Sequence, residues 1–374
     1  MGQRPTPQQI PVVVLAGFLG SGKTTLLNHL LHRSGGSRIG AIVNDFGSIE
    51  IDAMAVAGAL GDSTVSLGNG CLCCAVDASE LDGYLKRLAR PEIGIDVIVI
   101  EASGLAEPQE LVRMLLASEQ PGVVYGGLVE VVDAAEFDDT RAKHPEIDRH
   151  LALADLVVVN KTDRVRDPER LLALVRTLAD GAAVVPATYG RIDPEFLYDC
   201  RPTEERVGQL SFDDLHDHHE GGGAHAGHLH AAYDTLSFVS DRPLDPRRLM
   251  RFLDSRPEGL YRIKGYVDFG PYDTRNRYAV HAVGRFLRFY PEPWTSAAEA
   301  AGAADTPGVR RTRLVLIGTG IDTATLGEEL AACRRDADAP PADEHGMWGV
   351  LRYVPDGEEP DGEDPDGQEP PDAP

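Results

Sequence analysis

The chain has 374 residues, of which 42% are hydrophobic, which is enough for two domains that each bury their own core. Its formal net charge of −24 argues against nucleic acid as the main partner. No apolar stretch approaches the length of a membrane span and no secretory leader is recognisable, so the sequence predicts a cytoplasmic protein with no membrane partner.

The first predicted element follows a loose leader of residues 1–9. It is a β-branched, apolar strand over residues 10–16, and the run from Gly17 to Thr24 after it matches the pattern G-x-x-x-x-G-K-S/T. Such a loop, between a strand and a helix, presents backbone N–H groups to phosphate. We expect Lys23 to reach the β- and γ-phosphates and the Thr24 hydroxyl to hold Mg²⁺. The nucleotide-binding residues predicted here are Gly17, Gly20, Ser21, Gly22, Lys23, Thr24 and Thr25.

A cysteine cluster comes next in the chain. Cys71, Cys73 and Cys74 are three of the five cysteines and fall within four positions. In a chain without secretion signals, such a cluster favours metal or redox chemistry over disulfides or incidental packing. Three thiolates suit a borderline cation such as Zn²⁺, and a closed tetrahedral site requires a fourth ligand.

The base preference is predicted from a motif after a later strand. The apolar run 155–159 ends in Asn160, Lys161, Thr162 and Asp163, at the end of the strand where ligands bind in open α/β sheets. A carboxylate at Asp163 can accept both N1–H and the exocyclic amino group of guanine, whereas adenine offers no such donor pair. Asn160 can brace the loop, and the Lys161 stem can cover the ring, so the sequence predicts GTP.

Residues 201–232 are expected to form a flexible linker that is rich in glycine and histidine. Neutral imidazoles suit Zn²⁺, Co²⁺, Ni²⁺ or Cu²⁺, and the alternative is a merely solvated polar segment. We expect weak, exchangeable metal sites because no rigid scaffold aligns these ligands. The linker histidines are His216, His218, His219, His225, His228 and His230.

The alternation of elements predicts the fold class. Strands at 10–16, 38–43, 95–100, 123–132, 155–159 and 182–186 alternate with helices, as in a P-loop NTPase with a mostly parallel sheet and helices on both faces. This domain is expected over residues 10–200. A smaller C-terminal α+β domain is expected over 233–335, with an antiparallel sheet and two helices on one face. Residues 336–374 are expected to be an acidic, Pro/Gly-rich disordered tail, with nine acidic and no basic residues from Asp356 to Asp372.

Four motifs in this order resemble the CobW family of metal-handling P-loop GTPases: G-F-L-G-S-G-K-T-T-L-L, G-N-G-C-L-C-C, E-A-S-G-L-A-E-P and N-K-T-D. The resemblance continues through an R-x-K-G segment ending at Gly265 and a closing strand after Arg313, so it covers about residues 10 to 335. It implies a GTP-dependent metallochaperone that handles zinc or cobalt and supplies a client metalloprotein, which the sequence does not identify.

The resemblance also implies roles for residues outside the phosphate loop. Glu101 would hold Mg²⁺ through water or position the attacking water, and the Gly104 amide would sense the γ-phosphate. Lys23, Thr24 and Glu101 would thus form the catalytic group. Asp45, which stands where the family usually has glutamate, is a candidate fourth ligand beside the cysteines.

Several alternatives remain open on the sequence. The metal could be cobalt, for cobalamin biosynthesis or nitrile hydratase maturation, and nucleotide or metal could drive homodimer formation. In another class of function, the cysteines would sense redox state in a GTPase switch that delivers no metal. A metal store whose GTPase has decayed is disfavoured by the intact Lys23, Thr24, Glu101 and Asp163.

Overall fold

Six apolar runs form the parallel strands of the first sheet, as the alternation of elements predicts. The computed structural model describes residues 9–34, 36–43, 78–104, 107–199, 233–294, 310–336, 338–339, 341–343 and 345–355. The strands are β1 (Ile10–Ala16), β2 (Ile39–Val43), β3 (Val97–Glu101), β4 (Val123–Asp133), β5 (Leu156–Asn160) and β6 (Ala183–Pro186). Their order is β2-β3-β1-β4-β5-β6, so β1 lies centrally and its loop opens at the carboxyl edge.

Helices cover both faces of this sheet because its strands are apolar on both sides. They are α1 (Lys23–His32), α2 (Ala78–Leu88), α3 (Pro108–Ala117), α4 (Phe137–Lys143), α5 (Ile147–Leu153), α6 (Pro168–Leu178) and α7 (Pro194–Leu197). Leu26, Leu27 and Leu30 of α1 pack on one face with Phe196 of α7. The remaining helices pack on the other face.

An antiparallel sheet forms the second domain. Its strands are β7 (Asp234–Ser240), β8 (Leu260–Val267), β9 (Asn276–Val283), β10 (Phe286–Pro293) and β11 (Thr312–Gly318), in the order β10-β9-β8-β11-β7. Helices α8 (Pro246–Asp254) and α9 (Thr323–Ala332) pack on one face, which confirms the predicted α+β arrangement. Both begin after an aspartate, Asp245 or Asp322, whose side chain accepts two backbone N–H groups.

The predicted start of the acidic tail at residue 336 is wrong. A short helix, α10 (Trp348–Leu351), lies within that segment, and Met347 and Val350 are buried in the core of the second domain. The acidic residues from Asp356 onwards dominate the average composition of 336–374, so that average does not reveal the apolar side chains near residue 350. Residues 356–374, the leader residues 1–8 and the linker residues 201–232 lie outside the described residues.

The two domains meet at a bulge in β4. The register of β1 with β4 shifts between Val12 and Val13, and Gly127 has φ +113°. A Cβ at Gly127 would lie 2.7 Å from Val283 Cγ1 and 3.0 Å from the Tyr261 hydroxyl, so only glycine lets the second domain approach this closely. The junction therefore rests on a strand adjacent to β1, which carries the phosphate loop.

None of the helices among the described residues combines the length and the hydropathy required to cross a bilayer.

Candidate functional site

The phosphate loop connects β1 to α1 through three glycines with positive φ. Gly17, Gly20 and Gly22 have φ values of 139°, 78° and 106°. A Cβ would lie 2.3 Å from the Val131 carbonyl oxygen at Gly17 and 2.2 Å from Asn160 Nδ2 at Gly22. The loop therefore packs against β4 and β5 closely enough to exclude side chains, and it places the N-terminus of α1 at the carboxyl edge of the sheet.

Lys23 is the first residue of α1 and is only 6% exposed. Its Nζ donates hydrogen bonds to the carbonyl oxygens of Gly17, at 2.8 Å, and Phe18, at 3.3 Å. The ammonium group thus lies against the start of the loop, where it is held by two of the loop's carbonyl oxygens.

Thr24 and Glu101 meet across the site. The Thr24 hydroxyl donates to Glu101 Oε1 at 2.7 Å, and Glu101 is 5% exposed at the end of β3. A hydroxyl and a carboxylate are hard oxygen ligands of the kind that Mg²⁺ takes beside nucleotide phosphates, so this donor set fits that ion. The turn that follows is close to the phosphate loop, since a Cβ at Gly104 would lie 2.7 Å from Leu19 N.

Asn160 joins two loops from within the sheet. Its side chain is 1% exposed, Nδ2 donates to the Ser21 carbonyl oxygen at 2.9 Å, and Oδ1 accepts from Gly190 N at 2.8 Å. The phosphate loop and the loop after β6 are therefore held in register by one buried amide.

Lys161 links the phosphate loop to β4. Its backbone is left-handed at φ 60°, and its Nζ donates to the Gly20 carbonyl oxygen at 2.7 Å and to Asp133 Oδ2 at 2.6 Å. The Lys161 stem therefore crosses the edge of the sheet from the phosphate loop to the end of β4.

Asp163 lies in a 3₁₀ turn, Thr162–Arg164, directly after β5, and its side chain is exposed. The Thr162 hydroxyl donates to the Ala187 carbonyl oxygen at 3.0 Å, which fixes this turn to the loop after β6. Asp163 thus stands at the carboxyl edge, exposed to solvent.

Two acidic residues of β4 near the site were not predicted. Asp133 accepts from Lys161, and its position at the end of an apolar strand was the signal that could have identified it. Glu130 is 2% exposed, and its Oε2 lacks a hydrogen-bond partner among the described residues. Burial raises the pKa of Glu130 to about 8, whereas the charge of Lys23 acts in the opposite direction. A lone carboxylate within an otherwise apolar run was the available signal.

The predicted metal ligands Cys71, Cys73, Cys74 and Asp45 lie outside the described residues, as do all six linker histidines. Within the part of the chain that is described, no group of three or more His, Cys, Asp or Glu side chains could hold a metal ion. His281 of β9 donates from Nε2 to the Tyr125 carbonyl oxygen at 2.8 Å, and burial lowers its pKa to about 4.

Comparison with known families identifies both halves of the chain. Residues 11–186 match the nucleotide-binding domain described as CobW/HypB/UreG, and residues 233–334 match the cobalamin synthesis protein CobW C-terminal domain.

Known proteins match over much of the chain. The protein named zinc chaperone CobW from Pseudomonas aeruginosa is 32% identical over 87% of this chain and 92% of its own length. The zinc-regulated GTPase metalloprotein activator 1 of Schizosaccharomyces pombe is 32% identical over 50% of this chain and 48% of its own. The crystal structure of the Zn(II)-bound YjiA GTPase from E. coli has a TM-score of 0.40 at 23% identity, covering 87% of this chain and 99% of that one.

The matches to both domains and to a relative of nearly the same extent show that this chain belongs to the CobW family.

Proposed function

We propose that this protein is a GTP-hydrolysing metallochaperone that binds zinc at its three-cysteine motif and delivers it to a client protein. The observation that carries the proposal is the contact of Thr24 with Glu101 beside Lys23, in a phosphate loop that Asn160 and Lys161 tie to the rest of the edge. Relatives named zinc chaperone and zinc-regulated GTPase support the coupling of this site to metal.

Hydrolysis at this site requires that the attacking water is positioned and that charge on the phosphates is neutralised, and it needs no covalent intermediate. The oxygen of a water molecule bonds to the γ-phosphorus, and the bond from that phosphorus to the β–γ bridging oxygen breaks, which yields GDP and inorganic phosphate. Lys23 leaves the carbonyl oxygens of Gly17 and Phe18 and binds the β- and γ-phosphates. Mg²⁺, held by Thr24 and by Glu101 directly or through water, would neutralise charge on the same phosphates.

Guanine selection is assigned to Asp163. Its exposed carboxylate follows β5 at the carboxyl edge, and the Lys161 stem next to it offers an apolar surface for the ring. Asn160 acts as the brace between Ser21 and Gly190, because both ends of its amide are already engaged.

The cargo is assigned to Cys71, Cys73 and Cys74, with Asp45 as the candidate fourth ligand. Thiolates bind zinc as charged, soft ligands, whereas the linker histidines are neutral ligands that lose conformational entropy on binding. The cysteines therefore hold the tight site, and His216 to His230 provide weaker, exchangeable ones. Cobalt is the competing cargo, since both ligand types accept it.

Nucleotide binding and metal binding are coupled because the candidate metal ligands lie close to Glu101 in the chain. Asp45 precedes the cysteines, and Glu101 follows them by fewer than thirty residues. GTP with Mg²⁺ holds the metal-competent state, and hydrolysis loosens it for delivery. Because coupling is reciprocal, identical metal affinity in the GDP state and in the state with a non-hydrolysable GTP analogue would contradict it.

The test combines Co²⁺ spectroscopy with GTP turnover in the full chain. Cys73→Ser, or Cys71→Ser with Cys74→Ser, should abolish thiolate-to-cobalt charge-transfer absorption and the metal response of GTP hydrolysis. Replacing the six linker histidines should lower the metal stoichiometry but leave that absorption. Cys333→Ala is the matched control, because this thiol is buried and its pKa is raised to about 11.

Competition between Zn²⁺ and Co²⁺ in the presence of Mg²⁺ and GTP then decides the cargo. Tight Co²⁺ binding that persists in the cysteine variants and is lost in the histidine variant would place the tight site in the linker. GTP turnover that neither Zn²⁺ nor Co²⁺ alters would contradict the coupling of the GTPase to metal delivery.

A further inference from the structure

The second sheet has one face that carries an excess of basic side chains. Helices α8 and α9 pack on the face that includes Ile263, Val280 and Leu314. The cross-strand register places alternate residues on the opposite face in three rows. These rows are Val315, Lys264, His281 and Arg288; Arg313, Tyr266, Ala279 and Tyr290; and Arg277 with Glu292. We call this surface the arginine face.

The first domain covers only one end of the arginine face. His281 is bonded to the Tyr125 carbonyl oxygen, and Asp199 pairs with both Arg262 and Lys264. In the second and third rows no residue is fully buried: Arg277 is 16% and Glu292 22% exposed, and Val239, opposite Arg313, is 52% exposed. This part of the face is partly exposed among the described residues.

The charge of the face is opposite to that of the chain. Four basic side chains of the face, Lys264, Arg277, Arg288 and Arg313, lie near two carboxylates, Asp199 and Glu292, in a chain of net charge −24. Three further arginines, Arg275, Arg310 and Arg311, lie directly before β9 and β11.

Aromatic rings hold some of these arginines in place. The Arg277 guanidinium lies over the Tyr266 ring at 3.8 Å and also pairs with Glu292, while Arg310 lies over the Trp294 ring at 5.2 Å. A guanidinium stacked on a ring keeps N–H donors at its rim and loses little freedom when it binds a carboxylate. The face is therefore suited to an acidic, extended peptide.

The chain itself supplies such a segment next to the face. Phe289 N, on the edge strand β10, donates to the Tyr353 carbonyl oxygen at 2.9 Å, so residue 353 lies against the free edge of the sheet. The described chain ends two residues later, and Asp356 to Asp372 contains nine acidic residues and no basic one. Residues 356–374 could span up to about 60 Å when extended, against a sheet about 20 Å wide.

We propose that the acidic segment 356–374 crosses the edge of β10 and docks on the arginine face of the same chain. The association is electrostatic and requires no fixed fold of the segment. A short covalent connection gives the segment an effective concentration of about millimolar, so even weak affinity suffices for occupancy. The face is then shielded from acidic segments of other proteins, and salt weakens the shielding.

The experiment measures binding of a fluorescent peptide of residues 356–374 by anisotropy at low salt. A chain truncated after residue 355 keeps every described residue and should bind the peptide. The full chain should bind it at least tenfold more weakly, because its own segment competes. In the truncated chain, Arg277→Gln with Arg313→Gln should weaken binding at least fivefold, and added salt should abolish it.

The matched control is Arg113→Gln with Arg176→Gln in the truncated chain, which removes the same charge from exposed positions on α3 and α6. It should bind like the truncated parent, and denaturant unfolding checks that each variant is folded. Equal binding by the face and control variants, or no binding to the truncated chain, would overturn the proposal. Equal binding to the full and truncated chains would also overturn it and would leave the face open for an acidic partner.

Discussion

The two sheets of this protein use their polar residues in different ways. In the parallel sheet, both faces are covered, and the polar side chains gather at the carboxyl edge, where Lys23, Asn160 and Lys161 bond to backbone carbonyl groups. In the antiparallel sheet, one face is covered by helices, and the other presents arginines from the strands themselves. The first arrangement fixes loop geometry for chemistry, while the second offers charge to a surface, so the effects of mutation should differ sharply between them.

The largest difference should come from Lys23→Ala. This change removes the ammonium that faces the phosphates, and GTP hydrolysis should fall by at least about 10²-fold while the fold remains intact. Phosphate release and GTP binding measure the effect, and Lys143→Ala, at the exposed end of α4, is the control. Normal turnover in the Lys23 variant would refute the assignment of the site.

Buried titratable groups should give the two regions opposite pH dependence. The pKa of Glu130 is raised to about 8, so the folded state binds the extra proton and stability falls as the pH rises from about 4.5 to 8. The pKa of His281 is lowered to about 4, so its contribution is present above pH 6.5 and is lost as the pH falls towards 4.

The effect should be about 5 kcal/mol for Glu130 and about 3 kcal/mol for His281, since one pKa unit corresponds to about 1.4 kcal/mol. Urea unfolding from pH 4.5 to 8 measures it. Glu130→Gln should reduce the fall in the free energy of unfolding as the pH rises. His281→Asn should reduce the fall in the free energy of unfolding as the pH drops. Unaltered pH profiles in both variants would show that neither group titrates in this way.

The junction between the regions can be tested with a matched pair of glycines. Gly127→Ala should cost about 2 kcal/mol, because the new Cβ would collide with Val283 and Tyr261. Gly83→Ala should instead stabilise the protein by about 0.8 kcal/mol, since Gly83 lies within α2 and nothing lies within 4 Å of the added Cβ. The free energy of unfolding from denaturant titration measures both, and equal effects would mean that β4 does not carry the junction.

The smallest effect should come from Asp163→Asn. The amide leaves a guanine N–H without a charged acceptor, and the preference for GTP over ATP should fall about tenfold. Competition binding with the two nucleotides measures this, with Asp139→Asn on the exposed side of α4 as the control. An unchanged preference would show that another group selects the base.

The sequence by itself determined the strands of the parallel sheet, the antiparallel sheet of the second domain, the phosphate loop and the position of Glu101 at a strand end. These follow from local patterns: alternating or continuous apolar runs, glycines at fixed spacing, and polar residues directly after a strand. Even the start of α8 after Asp245 is a local signal. The start of the tail, in contrast, was predicted from the average composition of residues 336–374. Its many acidic residues outweigh Met347 and Val350, which are buried in the core of the second domain.

Only the tertiary structure decided which of these residues touch. Asn160 reaches Ser21 across 139 positions and Lys161 reaches Gly20 across 141, and no local pattern encodes contacts at such separations. The burial of Glu130 and the seating of the second domain on Gly127 likewise depend on how separate elements pack. A motif fixes which groups are present at the end of a strand, whereas the free energy of burying and pairing them is set by neighbours from distant parts of the chain.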